Sequence, residues 1–356
     1  MQVAWHRFLL QPCHVMLGCL SIQYQNYHRP MSCRQLTRVL IYNGQGSNEE
    51  SSTLLHHALQ SMVDPSHSSV GYITPQQILH GSWMQTSCLI VFGGGYDLGF
   101  EAALGRQGAR LIQTFVRGGG SYLGICAGAY WACDHIQFDK GGPLEVMGER
   151  FLKFFPGVCV GPAFPGFQYE SKAGVHAVPV SYGGVNHLDA YFDGGGYFKP
   201  YNQFIKNGCV LSGDMPSTSR LAVLPEDRLS TNRQNRHIVS CEDTPRSIGL
   251  VSYEDNCTYV PQAAHCETSH VDLTSRAPLV EILGTYSSLE DKPPAVVQCR
   301  VGLGQAILSG VHLEFSCHLV DQQDVYVKPW MPKFQRSENT RLVVFKDILT
   351  QLGVQC

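Results

Sequence analysis

The sequence predicts an α/β protein, a three-layer sandwich in which a mostly parallel sheet carries helices on both faces. Three observations lead there. Short apolar runs, Arg38–Tyr42, Cys88–Phe92 and Ser121–Ile125, have the length and character of buried strands. They alternate with longer segments, Ser51–Met62 and Leu104–Val116, that read as helices. Glycines cluster just past the strand ends, at Gly44, at Gly93-Gly94-Gly95 and around Cys126, where such a sheet turns into its helices.

The elements follow in order. Arg38–Tyr42 is a strand closed by the turn signal Asn43-Gly44, followed by the Ser51–Met62 helix and a strand at Val70–Ile73. Cys88–Phe92 is the strand before the triple glycine. Leu104–Val116 is a helix stopped by Gly118-Gly119-Gly120, and Ser121–Ile125 is the next strand, with a helix opening behind it over Gly128–Cys133. Residues 134–211 turn rich in Gly, Pro and aromatics, and read as short strands and loops near the mouth of a site. Tyr169, Asp193 and Tyr197 stand out there as binding residues or, more often for aromatics between glycines, as packing. Val280–Tyr286 is a strand, two apolar runs flank the hairpin turn Gly302-Leu303-Gly304, and Leu342–Leu352 is a closing amphipathic helix. One domain is therefore expected from residues 37–211 and 278–356. Residues 212–278 are polar, rich in Ser, Thr, Asn and Arg, and read as a disordered insertion.

The most informative segment is Ser121–Tyr130, where a strand runs into Gly124-Ile125-Cys126-Ala127-Gly128. Small residues two positions to either side allow a sharp strand-to-helix turn, the elbow that lifts a nucleophile clear of a sheet. A thiol there meets the positive end of the following helix, which favours thiolate. The same pattern also suits a buried cysteine before an ordinary turn. A second segment, Ser309–Glu314, ends a strand and delivers His312 and Glu314. A thiol nucleophile needs a base and the base needs an orienting acceptor, roles that suit His312 and Glu314. These residues lie 186 positions from Cys126 (312 minus 126), so only the fold can join them. Third, the glycines after Phe92 leave backbone N–H groups open to a ligand. An oxyanion hole needs two such donors, one expected from Gly94 or Gly95 and the other from Ala127.

Composition narrows the classes. The chain has 356 residues, 44% hydrophobic and 15% charged, enough for one large core. A formal net charge of −3 offers no broad basic field, so a nucleic-acid partner is not expected. No apolar run approaches the roughly 18 residues of a membrane span, so no membrane partner is expected. Fourteen cysteines occur without one Cys-x-x-Cys pair, and a chain this long does not depend on disulfides, so reduced thiols and a cytoplasmic setting are expected. The nearest approach to a metal cluster, Cys257, His265, Cys266 and His270, fits no common zinc spacing; neither metal nor cofactor is expected. Residues 1–36 hold no acidic residue. They read either as a leader of the mitochondrial type or, slightly preferred, as an extension before a start at Met31.

The three site segments, in this order, resemble the class I glutamine amidotransferase superfamily. The segments between narrow the resemblance to the N-terminal domain of eukaryotic biotin–protein ligases. They are Glu145–Arg150, Phe154–Gly157, Gly161–Ala163, Gly166–Ser171, Tyr191–Gly196 and Val280–Tyr286. The resemblance spans roughly residues 37–211 and 278–356 and implies a flavodoxin-like layering with a Cys-His-Glu triad acting on a small amide or acyl substrate. Two departures qualify it. Leu313 stands where the superfamily often has proline, and the ligase family's separate catalytic domain, with its adenylate loop, has no counterpart in these residues. No segment matches a glutamine-holding loop. The resemblance therefore also implies a rival role, a non-catalytic module that modulates biotin attachment by contacting a ligase catalytic domain or a biotin acceptor protein. A glyoxalase or protease of the related superfamily is a weaker third reading, against which Glu314 stands.

Overall fold

The computed structural model describes residues 37–201 and 280–356. Its first half runs β1 (Thr37–Tyr42), α1 (Glu49–Met62), β2 (Ser68–Ile73), α2 (Pro75–His80), β3 (Ser87–Phe92), α3 (Asp97–Arg117), β4 (Ser121–Ile125) and α4 (Ala127–Trp131). Then come β5 (Cys133–Phe138), β6 (Val146–Glu149), β7 (Phe155–Gly161), β8 (His176–Tyr182), β9 (Asn186–Phe192) and β10 (Tyr197–Pro200). The last part is β11 (Val280–Tyr286), β12 (Pro294–Val301), β13 (Gly304–Ser309) and α5 (Met331–Gln351).

Local chemistry sets the helix starts. Asn48 caps α1 by accepting from the Ser51 N–H, and Glu49 and Glu50 sit in the first turn where the helix end is positive. Thr74 and Gln77 form a reciprocal capping box on α2, with Pro75 in the first turn. α3 begins seven residues before the predicted Leu104 (104 minus 97), because a kink at Gly105 joins two helical pieces that the sequence pattern separates. α5 likewise extends N-terminally to Met331. The helix predicted over Gly128–Cys133 is only Ala127–Trp131, and Cys133 already opens a strand.

The main sheet has nine strands in the order β2-β1-β3-β4-β13-β12-β11-β8-β9. Neighbours from β2 through β13 are parallel. The strands β12, β11, β8 and β9 extend the sheet antiparallel. Val39, Ile41, Leu123 and Ile125 face α1 and α5 in one core. Leu40, Tyr42, Ile90 and Tyr122 face α2, α3 and α4 in the other, so both faces of the parallel strands are dry. A second sheet, β10-β7-β5-β6, covers this second face, with Ile136, Phe155 and Phe198 in the same core.

One register matters most for function. β4 lies between β3 and β13 and is parallel to both, with Phe92 opposite Gly124 and Ser309 opposite Ile125. Three strands thus end together, and the residues that follow them, Gly93–Gly95, Cys126 and Gly310–His312, emerge side by side. The ends of parallel strands are where such sheets bind ligands. Among the described residues no helix is long and apolar enough to cross a membrane.

Candidate active site

Cys126 is the hinge between β4 and α4, at φ 51° and ψ −107°. That left-handed conformation costs a non-glycine residue about 1–3 kcal/mol and persists only where the surroundings hold it. Here its N–H donates to Ser309 O at 2.9 Å, and its carbonyl accepts from Ala129 and Tyr130, each at 3.0 Å. The flanking glycines answer a packing demand. A Cβ on Gly128 would collide with the Phe92 carbonyl, and one on Gly124 would sit 2.6 Å from Gly128 O. α4 is only five residues long, so the helix-end charge expected beside the thiol is small. Its useful contribution is the Ala127 N–H.

His312 follows β13 on a turn stabilised by Ser309 Oγ, which donates to Val311 O at 2.6 Å. The His312 N–H donates to Tyr191 O at 2.8 Å, tying it to the end of β9. The ring lies edge-on to Tyr191 and 4.5 Å from the Phe315 ring. Its Nδ1 is 2.7 Å from Glu314 Oε1. Glu314 is fully buried, and among the described residues its Oε2 has no partner. With Nδ1 engaged, Nε2 is the ring nitrogen left on the cavity wall that His312 shares with Cys126. Burial opposes charge on this ring, but the Glu314 carboxylate and then the Cys126 sulfur override it, holding the His312 pKa well above the ordinary histidine value.

The structure thus bonds Glu314 to His312 and sets His312 and Cys126 on the wall of one cavity. It separates the expected oxyanion donors. Gly94 is at the site, where a Cβ would lie 3.0 Å from His312 Cε1, but its N–H donates to Ser51 Oγ at 3.0 Å. Gly95 sits at φ 143° between the bonds Asn48 N–H to Gly94 O and Tyr96 N–H to Gly46 O, and among the described residues its own N–H has no acceptor. The Ala127 N–H, at the first turn of α4, likewise has no acceptor among the described residues. Ala127 and Gly95 are therefore the two donors the geometry leaves open.

Above the thiol lies a cavity of about 810 Å³ whose wall includes Ser51, Gly95, Asp97, Tyr169, Lys172 and Asp193. The thiol donates to the Asp193 carbonyl at 3.5 Å. Tyr169 reaches the cavity, 44% exposed, whereas Tyr197 packs behind it against the α1 and α5 core. Several contributors are invisible to local sequence patterns. Lys172 and Glu50 pair across the mouth at 2.6 Å, and buried Asp97 pairs with Arg150 at 2.6 Å. Arg341 on α5 donates to Leu313 O at 2.6 Å while paired with Glu338, whose carboxylate also accepts from Ser316 Oγ and the Cys317 N–H. That cluster clamps the segment carrying Glu314. It also occupies the carboxylate of the one group of three metal-type donors found among the described residues, Cys317, His318 and Glu338. Cys257, His265, Cys266 and His270 lie outside the described residues.

Comparison with known proteins agrees with the segments singled out above. The family model described as "Biotin-protein ligase, N terminal" matches residues 37–214 and 262–356. A biotin–protein ligase of Schizosaccharomyces pombe is 35% identical over 165 residues, 45% of this chain and 26% of that protein. An uncharacterized protein of Chlamydia muridarum is 34% identical over 175 residues, 48% of this chain and 66% of that protein. The chain thus spans about a quarter of the first relative's length and just under two thirds of the second's. A crystal structure of a glutamine amidotransferase aligns over 89% of this chain and 99% of its own, at 13% identity and a TM-score of 0.42. That likeness is too distant to add to the assignment, which rests on the family match over most of the chain: the protein belongs to the family of biotin–protein ligase N-terminal domains.

Proposed function

We propose that this domain is a cysteine-dependent hydrolase or transferase acting on a small amide or related acyl compound. Cys126 Sγ, its proton already held by His312 as the imidazolium, attacks the carbonyl carbon. The developing oxyanion accepts from the Ala127 and Gly95 N–H groups. The tetrahedral adduct collapses to a thioester as His312 returns the proton to the leaving amine. Water or a second amine then attacks the thioester and regenerates the thiol. Glu314 holds Nδ1–H and stabilises the imidazolium between the steps. The observation that carries this reading is the 2.7 Å Glu314–His312 bond on a ring that lines the same cavity as a thiol held on a strained turn. A thiol that only filled space would need neither the strained turn nor a buried carboxylate behind its neighbour.

The test is turnover. A panel of primary amides, glutamine and asparagine among them, is incubated with wild type and with Cys126→Ala, and ammonia release is measured. Release that Cys126→Ala abolishes supports the proposal. No release from any member, together with binding of a ligase catalytic domain or a biotin acceptor protein that Cys126→Ala leaves intact, favours instead the regulatory module implied by the family.

A further inference from the structure

Asp193 follows β9 in the turn Asp193-Gly194-Gly195-Gly196 and touches the nucleophile through its own backbone, since its carbonyl accepts from the Cys126 thiol at 3.5 Å. Its carboxylate is therefore tethered within one side-chain length of the sulfur. Among the described residues that carboxylate has no hydrogen-bond donor, and Oδ1 is buried without a partner. Of the other charged groups along this wall, Glu170 and Asp324 also lack an ion-pair partner among the described residues, and the rest are matched. Asp97 has Arg150, Glu50 has Lys172, and His312 has Glu314. Burial pushes the Asp193 carboxyl up to about 6, against the pull of His312 and Lys172, so it is still mainly ionised at neutral pH. A buried carboxylate without donors is costly, and at a cavity wall beside a nucleophile the natural complement is a ligand group that supplies both donors and positive charge.

We infer that the site takes small acyl substrates carrying a cationic amino group close to the reacting carbonyl, with Asp193 as the residue that receives that ammonium. This rests on the proposed role of Cys126 as nucleophile and adds a substrate class to it. An ammonium at Asp193 would stand next to the carbonyl presented to Cys126, as in an amino-acid amide. A substrate with a carboxylate in that corner would be repelled. Asp193 therefore determines specificity, and its removal raises KM for a cationic substrate while leaving the thiol reactive toward neutral reagents.

Thiol-directed probes of different charge test this without a known substrate. Each transfers its thioalkyl group to the Cys126 sulfur as a mixed disulfide and releases methanesulfinate. Rates at Cys126 are measured by mass spectrometry on the full chain with cationic aminoethyl, anionic sulfonatoethyl and neutral methyl methanethiosulfonate. In wild type the cationic reagent is expected to react at least about tenfold faster than the anionic one, each scaled to its rate at Cys88. Asp193→Asn brings that ratio close to one, and Asp193→Glu keeps it; Asp193→Ser reads the same ratio should Asp193→Asn fold poorly. A ratio unchanged by either neutral variant, in protein with an unaltered melting curve, overturns the inference. Failure of the underlying reading looks different, because the neutral reagent would then modify Cys126 no faster than Cys88 in every variant. An amino-acid amide and the terminal amine of a peptide share the required chemistry. Protection of Cys126 by alaninamide or by an alanyl-peptide amide tells them apart, and equal protection by their N-acetyl forms counts against a cationic site.

Discussion

Replacing Glu314 by Gln is the sharpest perturbation of this site. The substitution keeps shape and removes one charge from a fully buried position 2.7 Å from His312 Nδ1. Unit charges about 4 Å apart interact by about 4 kcal/mol at the effective dielectric typical of protein sites, equivalent to roughly three pKa units. Burial of the ring, which Glu314 now outweighs, then acts unopposed except by the Cys126 sulfur. The His312 pKa is therefore expected to fall from well above the ordinary value to near or below it. The amide brings a second fault. Its NH₂ can donate to Nδ1, which places the ring proton on Nε2 and disables that atom as an acceptor for the thiol. The assay is a nitrogen-15 NMR titration of labelled histidines, with the His312 signal identified by its loss in His312→Ala. Wild-type His312 is expected to stay protonated through neutral pH and the Glu314→Gln ring to be neutral there. The linkage has a definite sign. Because the folded pKa is raised, the stabilisation is complete below the unfolded value of about 6.5 and is lost as pH rises through the folded one, and Glu314→Gln removes that slope. A wild-type ring that titrates near 6.5, or one indifferent to Glu314→Gln, would refute the reasoning.

Three further outcomes follow from the packing and charge around the site. Gly128→Ala forces a methyl group into the Phe92 carbonyl and is expected to cost about 1–3 kcal/mol or more in urea denaturation, with loss of Cys126 reactivity because the elbow must open. Arg150→Leu leaves Asp97 as an unpaired buried carboxylate and is expected to destabilise by about 3–5 kcal/mol in the same measurement, with Asp97→Asn in the same chain recovering part of the loss. Burial acts to raise the Glu338 carboxyl, but the Arg341 guanidinium, Ser316 and the Cys317 N–H overcome it and hold it at about 2. That depressed value contributes on the order of 3 kcal/mol, present above the unfolded pKa and lost as pH falls from about 4.5 toward 2. In Glu338→Gln this acid limb of the stability curve should flatten.

Much of the parallel half of the sheet was legible because its signals are local. Strand β4 matches the sequence reading at both ends, and the Gly-x-Cys-x-Gly pattern could be read because two backbone approaches tolerate no side chain. The hairpin that returns His312 was equally plain from Gly302, which sits at φ 63°. The second sheet was hidden. Its strands are as short as four residues, as in Val146–Glu149 and Tyr197–Pro200, and Gly and Pro interrupt their alternation. α3 was truncated in the sequence reading because Gly99 and Gly105 weaken its first turns, although the fold holds both. At the site, residue types and order could be read, but hydrogen-bond accounting could not. Nothing local says that Ser51 on α1 claims the Gly94 N–H, that α5 clamps the Leu313 carbonyl, or that Asp193 ends without a donor. Those facts belong to elements brought together by topology, and only the three-dimensional arrangement reveals them.

The most direct measurement is the relative rate of alkylation by iodoacetamide of Cys126 and Cys88 in the native protein. Accessibility alone favours Cys88, which is half-buried, over Cys126, which is 8% exposed. Activation by His312 reverses that order, so Cys126 is expected to react several-fold faster than Cys88 and to lose the advantage in His312→Ala. Cys126 reacting more slowly than Cys88, or a rate untouched by His312→Ala, would contradict an activated thiol.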